Sequence, residues 1–187
     1  MNAHKIYLIL GGARSGKSHY AEQLAATQRP QQQTEDQWQK IYVPTATNLD
    51  EEFKTRIQIH QNRRDKDWKT IETPLNLAST IDKQSNKNTV ILIDCLTMWL
   101  FNLMQEKRDP AKETTELTRA LNVANGPIIM VSNEVGLSIV PENKLARHFR
   151  DAQGTLNQQI AKTSTDVVFV AAGLPLILKQ TEPKEQK

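Results

Sequence analysis

The segment Gly11-Gly12-Ala13-Arg14-Ser15-Gly16-Lys17-Ser18 constrains this chain more than any other. It fits the pattern G-x-x-x-x-G-K-[ST], and its flanks supply the context that pattern requires. Before it, Lys5 to Leu10 is an apolar run that reads as a strand; after it, Lys17 to about Gln28 reads as a helix. Glycines let the backbone curl until its N–H groups point at phosphate oxygens. The positive end of the helix dipole adds to that field. Lys17 is then placed to reach the β- and γ-phosphates, and Ser18 to ligate Mg2+.

Such a loop needs an acid near the metal, at the end of a neighbouring strand. Thr89-Val90-Ile91-Leu92-Ile93-Asp94 is a β-branched apolar run of the kind found at the centre of a parallel sheet, and Asp94 ends it. Asp94 is the candidate second metal ligand; a strand-end turn residue or a cap for the next helix is the plainer role open to it. Cys95 beside it reads as a small packed residue, since nothing nearby in sequence activates a thiolate.

Elsewhere, strands and helices alternate. Ile41 to Pro44, Trp68 to Glu72, Ile128 to Ser132 and Val167 to Ala171 read as strands, and Gly173-Leu174-Pro175 turns into a last short one. Helices are expected at Asn48 to Arg64, capped by Asn48 with Glu51 three positions on. Others are expected at Pro74 to Lys83 with the proline near N1, at Thr97 to Lys107, at Ala111 to Ala124 and at Pro141 to about Lys162. Arg29 to Lys40 is polar and reads as an exposed loop. This alternation implies an α/β fold: a single P-loop domain over residues 1–179 with a mostly parallel sheet flanked by helices, and a charged tail at 180–187 expected to fray.

Composition narrows the partners. The 187 residues suit one domain, at about 100–200 residues per domain. A single cysteine excludes an intrachain disulfide framework and a multi-cysteine zinc site. No apolar run is long enough to span a bilayer, and the N-terminus has no signal-peptide pattern, so a cytoplasmic chain without stable membrane insertion is expected. The 24 basic and 21 acidic residues are interspersed and leave only +3, and aromatics are 5%. That is too sparse for base-stacking platforms, so no nucleic-acid partner is expected.

His60 continues an apolar stripe with Phe53 and Ile57, which suits a half-buried histidine packed on the sheet. Its neighbours suit chemistry as well. His60-Gln61-Asn62-Arg63-Arg64 sets two guanidinium groups just after the imidazole. They would keep it neutral, as a nucleophile must be, and could hold the polyphosphate it attacks. Glu72 ends a strand; a carboxylate there can accept from the two adjacent donors on guanine, which adenine lacks, or can simply be a solvated acid.

With these residues in order, the chain resembles the adenosylcobinamide kinase/adenosylcobinamide-phosphate guanylyltransferase family, from about Ile6 to Leu178. The resemblance rests on the loop at 11–18, Arg56 to His60, Trp68 to Glu72, Ile91 to Thr97, Asn133-Glu134-Val135-Gly136 and the block Ile139 to Asp151. It implies a RecA-like P-loop core, a homotrimer, and two activities. The first phosphorylates adenosylcobinamide with ATP or GTP. The second transfers GMP from GTP to adenosylcobinamide phosphate through a histidine–GMP intermediate, which would fall on His60. Nucleotide contacts would fall on Gly11 to Ser18, Pro44, Thr45, Ala46, Gln61, Asn62, Arg63, Arg64, Glu72 and Asp94. The chain departs from the family in Arg63, where glycine is frequent, in Asp94, where glutamate occurs, and in a Gln-rich insertion from Gln28 to Lys40.

The helix after Pro141 carries an apolar stripe of Leu145, Phe149, Ala152, Leu156 and Ile160. Arg147, Arg150, Asp151, Gly154 and Gln158 line another face, which suits solvent, substrate or a neighbouring subunit. Two other functions compete with the bifunctional enzyme: a P-loop small-molecule kinase that leaves His60 unmodified, and a RecA-like nucleic-acid-binding ATPase.

Overall fold

The computed structural model describes residues 4–29, 38–46 and 68–181. The expected Asn48 helix, its capping box, His60 to Arg64, most of the Gln-rich stretch and the last six residues lie outside them.

Among the described residues one sheet has seven strands, in the order β3-β2-β4-β5-β1-β6-β7. The strands are β1 Ile6–Gly11, β2 Gln39–Pro44, β3 Trp68–Thr70, β4 Thr89–Asp94, β5 Ile128–Asn133, β6 Asp166–Ala171 and β7 Leu174–Gln180. The first six are parallel, and β7 alone runs antiparallel to its neighbour. The described helices are α1 Lys17–Ala26, α2 Leu77–Gln84, α3 Leu96–Gln105, α4 Pro110–Val123 and α5 Lys144–Thr163.

The sheet is covered on both faces, which explains the continuous apolar runs. On one face Leu8, Ile91, Ile93 and Met130 pack against Leu77, Trp99, Leu117 and Leu156 of α2 to α5. On the other, Ile9, Leu92, Ile129 and Val131 pack against Ala21 and Ala25 of α1. Each fully buried Leu or Ile contributes roughly 1.5–3 kcal/mol. Trp99 combines this packing with a polar tie, its indole N–H donating to the Leu75 carbonyl at 2.7 Å.

Several boundaries differ from expectation, each for a local reason. The helix after Pro74 begins at Leu77, because the carbonyls before it are already used: Asn102 donates to Pro74 and Trp99 to Leu75. Pro74 is therefore not at N1. The helix after Pro141 begins at Lys144, where the Asn143 side chain accepts from the Leu145 and Ala146 N–H groups. Arg147 holds the preceding carbonyls of Pro141 and Glu142. Leu145, the first residue of the expected apolar stripe, sits in this overhanging first turn and is 67% exposed. Leu156 and Ile160 are buried, and Phe149 and Ala152 pack at the core margin.

The last strand is longer than expected and reaches Gln180, and the Thr181 N–H donates to the Thr165 carbonyl just beyond it. β6 and β7 are joined by the two-residue turn Ala172-Gly173, with φ of 52° and 80°. Two positive φ values match a type I′ hairpin, which follows the natural strand twist.

Candidate functional site

The loop between β1 and α1 has the conformation its sequence calls for. Gly11 closes the strand, and the Ser15 N–H turns back to the Gly12 carbonyl. Arg14 has φ 56° and Gly16 φ 95°, so the chain enters α1 through a left-handed residue. Ala13, Arg14 and Gly16 face solvent, while Ser18 is half-buried. The Lys17 ammonium donates to the Gly12 carbonyl at 3.0 Å, so it lies across the loop it serves. Burial lowers the Lys17 pKa, and the nearby Cys95 and Asp94 oppose that shift. The Cys95 thiol is itself pushed up to about 11, chiefly by burial, and is protonated at neutral pH. Asp94 is therefore the anionic partner of Lys17, and Cys95 is the packed, unreactive residue expected from sequence.

Two close approaches hold the loop. The β6–β7 turn braces it, with the Gly173 N–H donating to the Ser15 carbonyl at 2.8 Å. A Cβ on Gly16 would come within 3.1 Å of the Gly173 Cα. A Cβ on Gly11 would come within 2.5 Å of the Val170 carbonyl and of the Ser15 hydroxyl. Gly11→Ala is expected to lower stability by about 1–3 kcal/mol, as overpacking against fixed backbone does. Gly12→Ala, whose Cβ meets nothing within 4 Å, should leave it near unchanged. Denaturant midpoints of the two variants check this; equal midpoints would remove the steric role of Gly11.

Asp94 ends β4 two strands from β1, with β5 between them. Its backbone is locked to β2. The Thr45 N–H donates to the Asp94 carbonyl, and the Thr45 hydroxyl donates to the Cys95 carbonyl and accepts from the Cys95 N–H. Asn102 of α3 completes the clamp by donating to the Thr45 carbonyl at 2.7 Å. The buried Thr45 hydroxyl is thus spent on the fold. The Pro44 carbonyl accepts from the Thr73 N–H, so within the Pro44-Thr45-Ala46 segment half-buried Ala46 is left to meet a nucleotide.

Beyond β3 the chain stays paired with β2: the Ile71 N–H donates to Tyr42 and the Thr73 N–H to Pro44. Glu72 lies between them and faces solvent, at the same C-terminal edge of the sheet as the loop and Asp94. Ligands of open α/β sheets bind at this edge. Gln61, Asn62, Arg63, Arg64 and His60 lie outside the described residues.

Ser18 lies in the first turn of α1 and Asp94 ends β4, so a hydroxyl and a carboxylate stand at the C-terminal edge of the sheet. Hard oxygen donors of this kind suit Mg2+, which keeps several waters and takes one or two protein ligands beside phosphate oxygens. The Ser18 hydroxyl makes no hydrogen bond among the described residues, so it is available for that role.

Sequence reasoning missed the supports of this edge. Thr97 accepts from the Asn133 N–H at 2.8 Å, and the Glu134 N–H donates to the Gly11 carbonyl at 3.0 Å. Behind them Ser132, Gln153 and Asn157 form a buried polar network. The polar Ser132-Asn133 pair closing an otherwise apolar strand was the local signal for it.

Known proteins resemble this chain in fold and in sequence. Among solved structures, the chain is similar to the flagellar accessory protein FlaH from Methanocaldococcus jannaschii. That match has a TM-score of 0.52 and 16% identity, over 94% of this chain and 78% of that one. It is also similar to a Pyrococcus horikoshii OT3 protein, Project ID PH0250, with a TM-score of 0.55 and 7% identity, over 96% and 88% of the two chains. At such identities these likenesses speak for the fold, a RecA-like P-loop core. Among curated sequences, the chain is 43% identical to the bifunctional adenosylcobalamin biosynthesis protein CobP of Pseudomonas aeruginosa, over 92% of this chain and 96% of that protein. It is 35% identical to the bifunctional adenosylcobalamin biosynthesis protein CobU of Escherichia coli, over 92% and 98%. Residues 7–178 match the family model described as cobinamide kinase / cobinamide phosphate guanyltransferase, and the chain belongs to that family.

Proposed function

We propose that this chain carries out two consecutive transfers on one corrinoid substrate. In the first, the hydroxyl oxygen of adenosylcobinamide attacks the γ-phosphorus of ATP or GTP. An O–P bond forms, the bond to the nucleoside diphosphate breaks, and the hydroxyl proton passes to solvent. In the second, a His60 ring nitrogen attacks the α-phosphorus of GTP and pyrophosphate leaves. The phosphate of adenosylcobinamide phosphate then attacks the P–N bond, giving adenosylcobinamide-GDP and freeing the histidine. The observation that carries this reading is the formed P-loop, with Lys17 inside it and Asp94 beside Lys17, in a chain of this family.

Backbone N–H groups of residues 11–18 bind the phosphates, and Lys17 offsets charge on the phosphoryl groups that transfer or depart. Ser18 and Asp94 would hold Mg2+, whose positive charge neutralises phosphate oxygens when bound. Arg63 and Arg64 follow His60 closely enough in sequence to offset charge on departing pyrophosphate. The enzyme is placed in the cytoplasm in this reading; among the described residues no helix is long and apolar enough to cross a membrane. The homotrimer is part of this reading, and Leu174, Leu176, Ile177 and Leu178 of the edge strand β7, 56–72% exposed, offer an apolar surface for association between copies without fixing their number.

Incubating the protein with adenosylcobinamide, Mg2+ and GTP, and weighing the products, tests the function. Adenosylcobinamide phosphate and then the GDP derivative are expected; a phosphorylated product alone would reduce the chain to a kinase. Glu72 is assigned to reading guanine, from its exposed place at the site edge. Glu72→Gln should lower the preference for GTP over ATP in guanylyl transfer by roughly tenfold, within the ~1–3 kcal/mol of a bidentate base contact. An unchanged GTP/ATP binding ratio would remove Glu72 from base recognition.

A further inference from the structure

β5 ends between the two strands that carry the phosphate loop and the acid. Asn133 pairs with Gly11, and Val131 pairs with Asp94. Strand alternation decides which way Asn133 faces. Ile128 and Met130 pack on the face of α2 to α5, and the Ser132 hydroxyl bonds Asn157 of α5. Ile129 and Val131 pack on the α1 face, so Asn133 falls on that face, on the side where Lys17 opens α1. By the same parity Asp94 continues the face of Val90 and Leu92.

The backbone of Asn133 is held from three sides. Its N–H donates to the Thr97 hydroxyl at 2.8 Å, its carbonyl accepts from the Asn157 amide at 3.2 Å, and the following N–H is tied to Gly11 at 3.0 Å. Under it, Gln153 donates to both Ser132 and Asn157 in the buried network. Polar groups buried at a place where apolar ones would pack at lower cost need a function to explain them. Here they fix the end of β5. The Asn133 side-chain amide, half-buried at that fixed end, makes no hydrogen bond among the described residues.

We propose that the Asn133 amide is a catalytic contact of the kinase step: its N–H donates to an oxygen of the terminal phosphoryl group held by the loop. This rests on the kinase reading above. Asn133 gains and loses no proton. It contributes a preorganised donor to a group whose charge redistributes as the new O–P bond forms and the old one breaks. In guanylyl transfer the same terminal group departs unchanged within pyrophosphate, so the demand on Asn133 is smaller there.

The full chain, Asn133→Ala and Asn133→Asp would be compared in both half-reactions, with thermal unfolding of each. Phosphorylation of adenosylcobinamide should lose on the order of 100- to 1000-fold in kcat in Asn133→Ala, with its KM nearly unchanged. Formation of the GMP adduct should fall much less. Asn133→Asp, close in shape and with every backbone tie intact, should keep the native Tm yet lose more than Asn133→Ala, because a carboxylate repels phosphate. It decides the question if Asn133→Ala fails to fold. Wild-type phosphorylation with both variants matching it would overturn the assignment. So would equal losses in the two half-reactions with Asn133→Asp near wild type, the pattern of a structural residue. A wild-type chain that forms no adenosylcobinamide phosphate would overturn the kinase reading itself, and this one with it.

Discussion

Lys17→Ala is expected to abolish productive use of nucleotide in both transfers while the chain stays folded. The ammonium lies inside the loop, 3.0 Å from the Gly12 carbonyl, and is 8% exposed. Among the described residues, that carbonyl and the nearby Cys95 and Asp94 offset part of its burial, so its loss removes a cost along with a bond. Catalysis has no such offset. Phosphoryl and guanylyl transfer both shift negative charge onto oxygens that the loop surrounds, and a fixed cation in a partly dry site is worth several kcal/mol there. Losses of at least about 10²–10³-fold in kcat are expected for each step, the scale seen when one preorganised donor is removed. Lys17→Arg should not rescue them, because a planar fork cannot replace a compact point charge in a space closed by the Gly12 carbonyl. Steady-state assays of both half-reactions, with Tm as the folding control, decide it. Near-normal rates in either step would free Lys17 from that step.

What the sequence made legible follows from how local each signal is. The loop at 11–18 was readable because Gly11 is required by close approach, Gly16 by its backbone shape and Lys17 by its charge, all within one short turn. β4 was readable because both faces are covered, which leaves an unbroken apolar run with Asp94 as its natural end. Long-range partners left no such trace. The Thr45 hydroxyl is consumed by Cys95, fifty residues away, and nothing around Thr45 says so. Gly173 braces Ser15 across nearly the whole chain. The α5 stripe was right at Leu156 and Ile160 and wrong at Leu145, because periodicity tells which face is apolar and not where the helix leaves the core. For the candidate site, Asp94 lies within electrostatic reach of Lys17, while the part read from His60 to Arg64 lies outside the described residues. Its support is the family and the chemistry.

His60 is expected to carry the GMP group during the second transfer. A neutral imidazole nitrogen displaces pyrophosphate from the α-phosphorus of GTP, and the enzyme gains a P–N bond; one difficult displacement between two anions becomes two easier ones. Intact mass after incubation with GTP and Mg2+ should rise by one GMP. Label from α-phosphate-labelled GTP should map to the peptide containing His60. The adduct should survive alkali and hydrolyse in acid, as a phosphoramidate does, which sets it apart from a serine or threonine ester, while the peptide map sets it apart from a lysine phosphoramidate. His60→Ala should lose GMP transfer by several orders of magnitude, since no other group supplies the nucleophile. It should retain phosphorylation of adenosylcobinamide, because a substrate hydroxyl needs no enzyme nucleophile. That split between the two activities is the signature of a nucleophile, since a packing residue would depress both. His148 is the internal control: it is exposed on α5 and lacks the arginine pair that follows His60. Label on His148, or an unlabelled enzyme that still transfers GMP, would sink the assignment.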